Sequence, residues 1–81
     1  MGYADNERQL LLGLLEVGAR TRERAVFPSG VPIGFASSTL TVLERAELVA
    51  RVIGRRHDLD QLFLTPAGVE AARQLVRELA R

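Results

Sequence analysis

The side chains able to do chemistry in this sequence are few, and most of them are cationic. All eleven basic residues are arginine, and ten Asp or Glu reduce the formal net charge to +1. The charge is unevenly spread. Arg20, Arg22 and Arg24 surround Glu23, and Arg51, Arg55 and Arg56 precede His57, whereas residues 1–18 carry Asp5, Glu7 and Glu16 against Arg8 alone. A guanidinium presents a planar fork of donors that suits phosphate oxygens and guanine edges. Two basic clusters therefore permit a nucleic-acid partner, although the arginine bias beside many Ala, Leu, Gly and Val is attributed first to a GC-rich genome. With so small a sum, distribution matters more than net charge.

Catalytic arrangements are not found. The sequence has no cysteine, which removes disulfides, thiolate nucleophiles and zinc knuckles together, and the single His57 lacks companions for a metal cluster. Asp58 and Asp60 sit in a turn without a third ligand, Thr65 has no nearby base, and the glycines form no phosphate-binding fingerprint. The expectation is a protein that is not an enzyme and uses no cofactor or metal. No apolar run approaches the roughly 20 residues of a membrane helix, and Met1 to Asp5 lack the basic start and apolar stretch of a signal peptide, so a cytoplasmic location is expected.

The elements that must position these residues follow from periodicity. A chain of 81 residues, 47% hydrophobic and 26% charged, suits one thin-cored domain that a second copy would help complete. Leu10, Leu11, Leu14, Leu15 and Val17 give residues 5–18 a broad apolar helical face, with Asp5 as N-cap and Gly18 as stop. Residues 21–34 read as a short helix capped by Thr21, broken by prolines and glycines. Its remainder is either a loop packed by Phe27, Val31 and Ile33 or a helical turn opened by Pro32. A helical period returns over residues 35–47, with Ala36, Leu40 and Leu43 on one side and Ser37, Ser38, Thr41 and Arg45 away from it. Ser37 or Ser38 is placed to cap it.

Residues 48–64 form a hairpin: Leu48 to Ile53, a polar turn over Gly54 to Asp58, and Leu59 to Leu64 with Leu62 and Leu64 on one face. Thr65-Pro66 then starts a helix over residues 66–80, because threonine caps and proline is preorganised at the first helical position. Val69, Ala72, Val76 and Leu79 make a narrow stripe on it, suited to packing on the first helix, to a dimer seam, or to both.

This order, mostly helical with a two-stranded hairpin, is the α+β winged helix-turn-helix over residues 1–81. The run Leu43-Glu44-Arg45-Ala46-Glu47-Leu48-Val49-Ala50-Arg51 resembles the end of the recognition helix and the first wing strand in the MarR and PadR families of bacterial repressors. Leu64-Thr65-Pro66-Ala67-Gly68 is similar to their passage from wing to next helix. Glu47 stands where those families usually have glycine, and the Pro/Gly-rich stretch replaces a well-formed second helix.

The resemblance implies sequence-dependent binding of double-stranded DNA by a small transcriptional repressor, a homodimer joined through its first and last helices. It places Ser37, Ser38, Thr39 and Thr41, with Val42 beside them, near bases, where hydroxyls bond and methyls touch thymine. Arg45, Arg51, Arg55 and Arg56 then meet phosphates, with Arg20, Arg22 and Arg24 as a second bank if that turn shares the face. His57 is read as an exposed turn residue, with a phosphate contact or a pH role as its other use. Simpler roles compete: Ser37 and Ser38 as caps, Arg45 in a helix-surface pair, the arginine turn as a solvated loop. The alternative function is a winged-helix assembly module that contacts protein and not DNA.

Overall fold

The computed structural model describes residues 2–56 and 60–80. His57, Asp58 and Leu59, expected in the polar turn and at the start of the second strand, lie outside the described residues. The elements run in the order α1 (Asp5–Glu16), two 3-10 turns (Arg22–Arg24 and Pro28–Gly30), α2 (Ser37–Arg45), β1 (Val49–Val52), β2 (Gln61–Leu64) and α3 (Pro66–Leu79). That is a winged helix with an abbreviated second helix.

In α1, Leu10, Leu11 and Leu14 point into the core with no exposed surface. Ala4, not Asp5, holds the N-cap position: its N–H donates to the Glu7 carboxylate (3.0 Å), while Asp5 is already helical and pairs with Arg8. The helix ends at Glu16, earlier than expected, because Gly18 adopts φ +79° and closes the terminus. There the Ala19 N–H donates to Leu14 O (3.0 Å) and the Gly18 N–H to Leu15 O (3.1 Å), satisfying the last carbonyls. Val17, expected on the apolar face, is thereby turned outward and exposed.

The chain then runs along the outer edge of β2. Leu64 N–H donates to Ala19 O (2.7 Å), and Val26 and Leu62 exchange both main-chain bonds (2.9 and 2.7 Å). The expected short helix after Thr21 is replaced by two single 3-10 turns, and Thr21 makes no side-chain cap bond. Pro28 and Pro32 remove the donors a longer helix needs. Val31 is buried and Ile33 partly so, but Phe27, expected to pack the loop, is exposed. Pro32 opens no helical turn. Gly13 of α1 makes room for this loop, since a Cβ there would lie 3.0 Å from Val31 Cγ1.

Helix α2 starts two residues later than expected, with exposed Ala36 at the N-cap and neither serine capping. Leu40 and Leu43 anchor it in the core. Its end repeats the pattern of α1: Leu48 N–H donates to Leu43 O and Glu47 N–H to Glu44 O (both 3.0 Å). Here, however, the left-handed position is taken by Glu47, at φ 61°. β1 and β2 pair antiparallel, Val49 opposite Leu64 and Val52 opposite Gln61, and Leu62 and Leu64 both face the core as the alternation required. Helix α3 packs on α1, with Ala72 and Leu75 buried.

Candidate nucleic-acid interface

The outward surface of α2 is set by helical geometry. At 100° per residue, Ser37, Thr41, Arg45, Ser38 and Val42 fall in one arc of about 140°, opposite Thr39, Leu40 and Leu43. The burial pattern agrees: the first five are exposed and the last three are buried. Arg45 ends both rows of this stripe, one running through Ser37 and Thr41 and the other through Ser38 and Val42. Thr41 bonds its own helix, its hydroxyl donating to Ser37 O at 3.0 Å.

Thr39 does not belong to this surface, contrary to the sequence expectation. It is only 3% exposed, and its hydroxyl accepts a hydrogen bond from the Asn6 side chain at 2.9 Å. Two residues from Thr41, it falls on the far side of a helix with 3.6 residues per turn. The bond ties the first turn of α1 to the first turn of α2.

Arg51 is the second correction. Its Nε and one terminal nitrogen hold Glu44 in a two-point contact (3.0 and 2.5 Å), while the other reaches Asp60 at 3.2 Å. Glu44, hydrogen-bonded to it, raises the guanidinium pKa above arginine's ordinary value; burial opposes this and Asp60 reinforces it. Asp60 is itself buried and accepts the Gly54 N–H (2.8 Å). The cluster links α2, β1 and the returning strand. With two carboxylates around it, Arg51 is a strut of the hairpin and not an outward cation, a role that Glu44 seven residues earlier could have signalled.

Arg55 and Arg56 are exposed in the hairpin loop, next to exposed Ile53. Arg20, Arg22 and Arg24 are exposed too, but their turn is held at the edge of β2 away from β1. The strand that continues from α2 is thus separated from that bank by β2. An open groove of about 670 Å³ lies between the end of α2, β1 and the start of α3, with Glu44, Glu47, Arg51 and Pro66 on its walls. Two carboxylates, with the arginine's charge already engaged by one of them, make it a poor seat for phosphate.

Among the described residues no group of three His, Cys, Asp or Glu is placed to hold a metal ion, and no helix is long and apolar enough to cross a membrane.

No protein-family model and no curated protein matches the sequence. Among solved structures, TubR from Bacillus megaterium pBM400 superposes with a TM-score of 0.80 at 21% sequence identity, over 91% of this chain and 87% of that one. The likeness covers nearly all of both chains and supports the α+β winged-helix fold.

Proposed function

We propose that the chain binds double-stranded DNA as a small winged-helix transcriptional regulator, acting as a repressor by occupying its site. The observation that carries this reading is the solvent-facing stripe Ser37, Ser38, Thr41, Val42 and Arg45 on a helix followed directly by a hairpin whose loop exposes Arg55 and Arg56. In a winged helix this is the pair of elements that enters the major groove and reaches the neighbouring backbone. Ser37, Ser38 and Thr41 then meet base edges, and Arg45, Arg55 and Arg56 meet phosphates. The resemblance of residues 43–51 and 64–68 to the MarR and PadR repressors supports the same assignment.

The reading includes a homodimer through α1 and α3, which sets two recognition helices about one DNA turn, roughly 34–36 Å, apart on a palindromic site. Val76 and Leu79 support it, because they continue the apolar stripe of α3 yet remain exposed, Leu79 at 73%. A cytoplasmic location accords with this function.

The test is fluorescence anisotropy of the purified protein on random-sequence duplex DNA across a salt series. Wild type is expected to lose affinity steeply with salt, and Arg55→Ala/Arg56→Ala to flatten the log–log slope by about one to two units. A folded protein that fails to bind even at low salt would give the place to the assembly-module reading, which the same exposed α3 residues favour.

A further inference from the structure

We propose that the outward face of α2 recognises the 5-methyl group of thymine, and that Val42 and Thr41 make the distinction. This rests on the DNA-binding reading above and deepens it by naming the base group that is read.

Along the axis of α2, Thr41 and Val42 lie between Ser37 and Ser38 in the first turn and Arg45 in the last. The Thr41 hydroxyl donates back to Ser37 O. With its proton committed to the helix, the hydroxyl has no donor left for a base edge, and the methyl is the apolar group the side chain adds to an exposed position. Val42 is 49% exposed on a helix that buries Leu40 and Leu43 on the other side. Halfway along the surface there are therefore two branched methyl-bearing groups, Thr41 within the arc and Val42 at its rim. The stripe contains no Asn, Gln or Lys, and its neighbour Glu44 is held by Arg51.

In the major groove, guanine, adenine and cytosine display acceptors and donors, and thymine alone adds an apolar group. A methyl set over the polar edges excludes water without replacing its hydrogen bonds, which is unfavourable. Set over another methyl, it removes apolar surface from water and gains. A single exposed valine is ordinary on a protein surface. What separates this one is its place halfway along the stripe, at the rim of the arc turned away from the core, one residue from a threonine whose hydroxyl is turned back along its own helix.

The probes are two alternating duplexes, poly(dA-dT) and poly(dA-dU), which present the same phosphates and the same minor-groove base edges but differ by the 5-methyl group in the major groove. Competition anisotropy at one salt concentration should show wild type preferring the thymine duplex by roughly fourfold for each methyl covered. Val42→Ala and Thr41→Ser, the latter keeping the hydroxyl bond to Ser37, should each move the ratio toward one, while the salt slope, set by phosphate contacts at Arg45, Arg55 and Arg56, stays at its wild-type value. Both positions are exposed, so both variants are expected to fold, and circular dichroism checks this.

Equal wild-type affinity for the two duplexes, with salt-sensitive binding retained, would overturn methyl recognition and leave DNA binding standing. A thymine preference that survives in the double variant would overturn the assignment to these residues. No affinity for either duplex would overturn both readings together.

Discussion

The hydroxyl of Thr65 donates to the main-chain oxygen of Glu47 at 2.6 Å while accepting from the Gly68 N–H at 3.0 Å, so one side chain both caps α3 and holds the exit of α2. The neighbouring carbonyl is gripped as well. Leu48 O accepts the Thr65 N–H at 3.1 Å and lies so close to Gly68 that a Cβ there would sit 1.8 Å from it. Residues 43–51 and 64–68 are therefore one structural joint, which fixes α2 relative to α3.

Gly68→Ala is expected to damage this joint, because the clash is with backbone that cannot swing aside. The loss should exceed about 2 kcal/mol, against the gain of about 0.4–1 kcal/mol from Gly→Ala at an unobstructed helical site. Urea denaturation followed by circular dichroism measures it, and a variant as stable as wild type would contradict the close approach.

Glu47→Gly should act in the opposite direction. A left-handed residue with a Cβ is strained by roughly 1–2 kcal/mol, while glycine costs about 0.4–1 kcal/mol through the freer unfolded chain. The difference leaves a net gain of about 0.5–1 kcal/mol, visible as a higher urea midpoint at unchanged slope.

Arg51→Ala removes the cation between Glu44 and Asp60. The buried Asp60 carboxylate loses the Arg51 contact and Glu44 loses its two-point hold, and a loss of about 2–3 kcal/mol is expected by chemical denaturation. The salt slope of DNA binding should stay at the wild-type value under conditions where the variant is folded. A slope reduced by about one unit would return Arg51 to the phosphate contacts.

Val76→Glu with Leu79→Glu tests the dimer. Both side chains are exposed in the single chain, so the folded monomer should survive the change. Sedimentation should shift from dimer to monomer, and cooperative binding to a two-site duplex should be lost. A wild type that sediments as a monomer at high concentration would remove the α1–α3 seam from the proposal.

The elements with long apolar periods were legible in the sequence. Leu10, Leu11 and Leu14 announced α1, Leu40 and Leu43 announced α2, and the Thr65-Pro66 pair located the start of α3. Residues 21–34 were not, because four glycines and prolines suppress any period and the one strand-like contact there, Val26 with Leu62, depends on a distant partner. The site divides in the same way. Ser37, Ser38, Thr41 and Arg45 were placed outward by spacing, whereas the burial of Thr39 needed Asn6, and the role of Arg51 needed Asp60 across the hairpin. Contacts between residues far apart in sequence leave no local signal. The serines failed as caps for a subtler reason: the helix starts one residue after Ala36, which puts Ser37 inside the first turn.

Val26 also decides how the hairpin behaves toward other chains. By bonding Leu62 from the side opposite β1, it occupies main-chain groups that an isolated two-stranded ribbon would leave open. Recruitment of a foreign strand is thereby confined to the free margin of β1, a stretch of only four residues. Short margins resist edge-to-edge aggregation. On the β2 side the sheet is thus protected against strand addition by a neighbour far away in sequence.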